Sequence, residues 1–320
     1  MLQRKSRMPV QDDTDPLSDA VALLRPEMEL SKLVEAGGAW QVRRDDLDTP
    51  LYCAIVEGRA RLEVAEGGVT LGTGDFVLVP ALSGFRMTSL PPPDPRGLEL
   101  RLQTGPGQVW LGPPQAPVEM RALVGHCRFR ASGPRLLVSL LPRMIVVPGQ
   151  PRLIALVRMI HDETRAARPG RVLTLGRLLD VLLIEALRSG TGLDLPPGLL
   201  RGLADPRLTA ALGRIHADPA AEVSVASLAR AAGLSRTSFF ERFRREVGRA
   251  PMQYLTDWRM ALAQDLLRDG RLTNDQIAGR VATAQPAPSA WRSSAMLGFR
   301  QGPSPTAGPS VRLRGYGPRP

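Results

Sequence analysis

The residues from Val225 to Leu255, VASLARAAGLSRTSFFERFRREVGRAPMQYL, leave little choice of local fold. Val225, Leu228 and Ala229 recur at helical spacing, and Ala232-Gly233-Leu234 breaks the helix. Ser235 suits the N-cap of a second helix, in which Phe239 and Phe243 share one face. Two short helices joined by a glycine-containing turn make a helix-turn-helix unit. Ala229 is small where the helices would cross, and Gly233 supplies the left-handed backbone the turn needs. The face opposite the two phenylalanines carries Arg236, Thr237, Phe240, Glu241 and Arg244, a mixture suited to reading a DNA major groove. The same geometry also occurs in proteins that never touch DNA. Gly248-Arg249-Ala250-Pro251 then ends the second helix and opens a third, with proline in its first turn. That helix carries Leu255, Trp258, Leu262, Leu266 and Leu267 along a stripe and stops at Gly270.

With these motifs together, SLARAAGLSRTSFFERFRREVGRAPMQYLTDWRMALAQDLLRDG resembles the first half of the DNA-binding domain of AraC/XylS-type transcription regulators. The similar features are the A-x-x-x-G turn, the S-R-x-x-F-x-R-x-F recognition helix, the G-x-x-P break and the Y-L-x-x-W-R-x-x-x-A connecting helix. The resemblance implies a second helix-turn-helix beyond the long helix, with recognition helices entering successive groove turns about 34 Å apart. RLTNDQIAGRVA starts that unit, with Ile277 and Ala278 standing where Leu228 and Ala229 stood in the first. After Val281 the pattern fails. Pro286 and Pro288 fall where a recognition helix is expected, and each costs about 3 kcal/mol inside a helix. Residues 282–320 are therefore expected to be a degenerate or disordered tail, of the composition that a shift of reading frame near residue 282 would give.

Charge agrees with this division. The net +11 resolves into +2 over residues 1–206, +4 over 207–281 and +5 over 282–320, where five arginines meet no acid. A basic C-terminal third favours a polyanion partner. No apolar run approaches the roughly 20 residues that span a bilayer, and the basic opening MLQRKSRMPV precedes no hydrophobic segment. A cytoplasmic protein without membrane contact is expected. Cys53 and Cys127 lie in no CxxC and are expected to be reduced and buried. His126, His161 and His216 are too few and too scattered for a metal site.

Upstream, residues 1–14 are polar and expected to be disordered. Asp15-Pro16 opens a short helix closed at Pro26. LYCAIVEG, RARLEVAEGG and VTLGTGDFVLVP then read as three strands with turns at Gly58 and Gly67-Gly68 and a bend at Gly74-Asp75. Strands at this spacing suggest a barrel or jelly roll. The segment through L-G-x-G-D-x-V-L-V-P is similar to the cupin sensor of AraC-type regulators. Many cupins hold a metal on His and Glu ligands, yet here Ser83-Gly84-Phe85-Arg86 stands where a histidine is expected, and no H-x-H occurs. A metal-free sensor or dimerisation scaffold without a cofactor is expected. Tyr52, Arg61 and Phe85 lie near strands that could line its cavity, with register left open. Two helices follow at PRLIALVRMIHDETRAARPG and VLTLGRLLDVLLIEALRSG. The wide apolar arc of the second fits packing on the barrel, a homodimer helix pair, or both. His216 lies near the end of the helix before the first unit, in a structural or phosphate-facing role.

The fold expected is α+β, an N-terminal cupin-like β-barrel with packed helices followed by an all-α helix-turn-helix DNA-binding domain. Residues 15–190 form the effector-binding or dimerisation domain, 191–206 a linker and 207–281 the DNA-binding domain. The function expected is a sequence-specific transcription regulator responding to a small-molecule effector, a homodimer on double-stranded DNA and not an enzyme. Arg236, Thr237, Phe240 and Glu241 are expected to reach base edges; Ser235, Ser238 and Arg244 are expected on phosphates. Glu241 could instead pair with Arg244 or Arg245. The alternatives are a remnant with only non-specific DNA affinity after loss of the second unit and, last, a cupin enzyme.

Overall fold

Asp15 and Pro16 start the first helix as their chemistry requires. The Asp15 carboxylate accepts from the Leu17 amide at 3.1 Å, and Pro16 occupies the first turn of α1 (Pro16–Leu24). The computed structural model describes residues 15–45, 49–65, 67–94, 101–130, 137–166, 168–190 and 196–281. The expectations for residues 1–14 and for the tail lie outside these. After α1 come β1 (Pro26–Ala36), β2 (Gln41–Arg44), β3 (Leu51–Glu57), β4 (Arg59–Val64), β5 (Gly67–Gly72) and β6 (Phe76–Val79). Then follow β7 (Phe85–Thr88), β8 (Arg101–Gly105), β9 (Gln108–Leu111), β10 (Met120–Phe129) and β11 (Ile145–Val147). They form two sheets, ordered β11-β6-β3-β10-β1-β9-β8 and β2-β7-β4-β5.

Side-chain alternation gives the larger sheet two apolar faces. Val34, Cys53, Val77 and Val124 point between the sheets toward Leu62, Leu71 and Met87. Tyr52, Phe76, Leu78 and Leu123 point the other way, under helices. The segment VTLGTGDFVLVP is two strands in different sheets. Gly74, at φ +88°, and Asp75 make the corner, where the Asp75 carboxylate accepts from the Gly72 amide at 2.8 Å. Gly67 and Gly68 are paired inside β5, and the turn expected there begins at Ala65. Glycine can extend as readily as it can turn, so composition alone misplaced the reversal.

Helices α2 (Pro151–Arg165) and α3 (Arg171–Ser189) cover the outer face, burying Leu153, Val157 and Ile160 from one and Leu179, Leu182, Leu183 and Ala186 from the other. Packing on the sheet therefore uses much of the wide arc of α3. The all-α part comprises α4 (Leu199–Ala204), α5 (Pro206–Ala217), α6 (Val225–Ala231), α7 (Arg236–Val247), α8 (Pro251–Asp269) and α9 (Asn274–Val281). Helix α4 lies inside the span expected to be linker. Leu199 and Leu200 are buried there, and that apolar pair makes residues 199–204 part of the packed body.

One apolar cluster runs through both halves. Leu17, Val21 and Leu24 of α1 join Leu183 and Leu187 of α3 to Leu212, Ile215, Tyr254 and Trp258. Polar contacts border it: Arg25 pairs with Asp265 at 2.9 Å, and Asp19 stands 3.4 Å from His216. His216 is buried, 2.8 Å from the Tyr254 hydroxyl, and its ring centre lies 3.9 Å from that of Trp258.

All three histidines are buried. Burial, aided by Lys32, pushes His126 down to about 4. Burial likewise lowers His161, with Arg165 adding to it, and lowers His216 against the opposing pull of Asp19. Below the ordinary imidazole value the unfolded chain takes up protons that the folded chain refuses, so folding stability is lost as pH falls. Urea midpoints are expected to drop steadily between about pH 6.5 and 4, and His216→Gln or His126→Gln should flatten that slope.

Candidate nucleic-acid interface

Helix α6 begins with a reciprocal cap: Ser227 N donates to Ser224 Oγ at 3.1 Å and Ser224 N to Ser227 Oγ at 3.0 Å. It ends at the turn, where Gly233 takes φ +63° and the Leu234 amide donates to the Ala229 carbonyl at 2.9 Å. Ser235 then caps α7, its Oγ accepting from the Ser238 amide at 3.2 Å. Phe239, Phe243 and Val247 face inward. The rings of Phe239 and Phe243 lie 5.6 Å apart, and the Phe243 ring lies 5.8 Å from that of Tyr254.

The opposite face is open. Ser235, Arg236, Thr237, Ser238, Phe240, Glu241 and Arg244 are all exposed. Arg236, Glu241 and Arg244 form no ion pair among the described residues, and Arg245 is taken by Glu246 at 2.7 Å. Glu241 therefore does not form the alternative pair with Arg244 or Arg245. The sides of α7 are pinned instead, by Arg242 to Asp205 at 2.5 Å and by Glu246 to Arg201 at 2.6 Å. A row of hydroxyls, an aromatic edge and two guanidiniums without an ion pair among the described residues is thus presented on a capped helix.

Beyond the Gly248 turn, Pro251 starts α8, whose proximal half buries Tyr254, Leu255 and Trp258 in the main cluster. Its distal half joins Ala263 to Ile277 and Val281 of α9 in a separate small cluster. Thr273 and Gln276 cap α9 reciprocally, at 3.3 and 2.9 Å.

In the other half, a cavity of about 500 Å³ lies between the two sheets. Leu62, Phe85, Met87, Val109 and Val124 make much of its wall; Glu29, Lys32, Arg44, Thr49 and His126 also line it. Thr49 Oγ1 is 3.4 Å from His126 Nδ1. Of the three residues considered from the sequence, Phe85 lines the cavity. Tyr52 faces the helices, and Arg61 pairs with Glu63 at 2.9 Å outside it. Cys53 and Cys127 are free, buried and on opposite faces of the larger sheet. Burial pushes both thiols up to about 12.

The cupin family model matches residues 15–191, more than half of the chain, and the helix-turn-helix domain model matches residues 228–286. A putative AraC-like transcription regulator of Streptomyces lividans is 32% identical over 280 residues, covering 83% of this chain and 90% of that protein. The chain belongs to the AraC-like transcription regulators. Among other proteins similar to this AraC-like regulator, the HTH-type transcriptional regulator AlkR of Acinetobacter baylyi is 38% identical over 120 residues, 37% of this chain and 39% of that one. The ToxT structure from Vibrio cholerae aligns at 11% identity and a TM-score of 0.31, covering 84% of this chain and 91% of that one. The AraC-like transcriptional activator CuxR aligns at 12% and 0.30, with 85% and 82% covered.

No described helix of this AraC-like regulator is long and apolar enough to cross a membrane. Sequence reasoning found the outward face of α7 but missed its lateral pins, Arg242 and Glu246. Their partners, Asp205 and Arg201, lie 37 and 45 residues away, and no local spacing announces them. Ser235→Ala removes the cap of α7 and is expected to cost about 1 kcal/mol, read from urea unfolding of the full chain.

Proposed function

We propose that Ser235, Arg236, Thr237, Ser238, Phe240, Glu241 and Arg244 make the DNA contact of this regulator. The observation that carries the reading is the exposed row on α7, whose Arg236 and Arg244 pair with no carboxylate among the described residues while Arg242 and Arg245 beside them do. Arg236, Thr237, Phe240 and Glu241 read base edges; Ser235, Ser238 and Arg244 hold phosphates. The protein acts in the cytoplasm and catalyses no reaction. Residues 15–190 are its sensor and 207–281 its DNA-binding domain.

The effector is a small molecule with an apolar body fitting the space between the sheets and a hydrogen-bonding group meeting Thr49 and His126. Support comes from the size of the cavity, within the range of ordinary ligand sites, and from its lining. Binding there regulates by favouring one arrangement of the two halves over another.

Two copies associate through the outer face of α3. Val172 and Leu173 are 82% and 67% exposed, and Gly176 one turn on leaves the backbone open to close approach. Sedimentation of the wild-type chain as a dimer, and of Leu173→Asp as a monomer, is the expected result.

Titration of the full chain with its own upstream DNA and with a random duplex, across salt concentrations, tests the DNA contact. Arg236→Ala and Thr237→Ala are expected to weaken the upstream complex roughly 10-fold or more and to relax sequence preference. Arg244→Ala should weaken both complexes alike and lower the salt slope by about one. Equal binding of both duplexes by the wild type would instead support the non-specific remnant.

A further inference from the structure

Residues 192–227 lie between the two stretches that the family models match. Within them Gly198, Arg201, Gly202 and Asp205 recur at the spacing that puts residues on one helix face. All four meet α7. The Gly198 amide donates to the Glu246 carbonyl at 2.9 Å, and Arg201 Nε to Glu246 Oε2 at 2.6 Å. Gly202 lies so close that a Cβ there would come within 2.7 Å of Val247 Cγ2. Asp205 uses one oxygen to cap α5 through the Arg207 amide at 3.0 Å and the other to take Arg242 Nε at 2.5 Å.

The start of α4 also touches the sensor half. The Leu199 amide, one residue from the amide that holds α7, donates to the Leu140 carbonyl at 2.9 Å. Leu199 and Leu200 sink into the shared core. Arg249, in the turn after α7, reaches Ser139 Oγ at 2.9 Å. The carboxylates at this joint are largely buried, with side-chain exposures of 8% for Asp205 and 13% for Glu246. Burial works against their charge, yet Arg242 and the Arg207 amide hold Asp205 below the usual carboxylate range, and Arg201 and Arg245 do the same for Glu246. Such pairs constrain geometry more than surface pairs do, since breaking one leaves a buried charge uncompensated.

We propose that α4 is a rigid bracket setting the angle of α7 against the sensor, with Arg201 and Asp205 as positioning residues for DNA reading. A flexible tether would let α7 adopt many orientations on the sensor; the bracket leaves it one. Displacement of the segment carrying Leu140 reaches α7 through two adjacent amides. The geometric part stands by itself, and the DNA part rests on the reading of α7 given above.

Two measurements on the full chain test it. Nitroxide labels at Met159→Cys on α2 and Arg230→Cys on α6, both exposed sites in a protein whose own thiols are buried, report the distance between the halves. A single narrow distribution is expected, broadened by Arg201→Gln and by Asp205→Asn, which keeps a capping side chain for α5. The same two substitutions, without labels, should lower the preference for upstream over random DNA roughly tenfold while leaving the salt slope unchanged. Reversing the pair, Arg201→Glu with Glu246→Arg, with Arg245→Gln to remove the second cation at Glu246, should restore both the narrow distribution and the preference, which a loss of folding could not do. An unchanged distribution in both single variants, or no recovery on reversal, overturns the bracket. If the wild type shows no DNA preference, the reading of α7 fails, and the distance distributions still decide the bracket.

Discussion

Helix α1 makes one body of two halves. It belongs in sequence to the sensor, yet its apolar side joins the cluster that holds α5 and α8. Burial of a side chain such as Leu17, Val21 or Leu24 contributes on the order of 2 kcal/mol. At its end Arg25 adopts φ +46°, a left-handed conformation that a side chain enters at a cost. That conformation comes with the ion pair to Asp265 of α8. The next residue begins β1, whose Lys32 and Val34 line the cavity. The wall of the cavity and the strained residue are thus neighbours along the chain, and the ion pair ties both to a helix 240 residues away.

How charge is spent on α7 separates stability from recognition. Its four arginines lie within one short helix and have opposite fates. Arg242 and Arg245 are tied to Asp205 and Glu246. Arg236 and Arg244 are left to solvent, where a charge adds little to folding. Surface positions of that kind can be changed with small effects on the fold, whereas the pins hold an angle.

The helix-turn-helix was legible because every signal in it is local. A serine cap, a left-handed glycine, two phenylalanines four apart and a first-turn proline each act within a few residues, and all fell where the spacing implied. The sensor was legible as a texture of strands, not as a register. Whether Tyr52 or Phe85 meets the cavity turns on strand parity and pairing, which short apolar runs do not encode. The corner at Gly74 was visible as a bend but not as a change of sheet. Helix α4 escaped because six residues are too few for periodicity to emerge beside a Gly- and Pro-rich stretch. Its partners are distant in sequence, so Arg201 and Asp205 look like ordinary polar residues until α7 is folded against them.

Helix α8 serves two cores with two different arcs of its surface. Trp258 turns toward the first unit, and Ala263, five positions later, turns toward α9. The arcs keep their mutual bearing only while the residue count between them is conserved, since each residue advances the helix by about 100°. One inserted residue between Trp258 and Ala263 would leave both apolar patches intact and α8 fully helical. It would nevertheless swing α9 around the axis like a mis-keyed gear, out of its bearing on the first unit. The phase of α8 therefore fixes where α9 sits against the first unit, whatever side chains either of them carries.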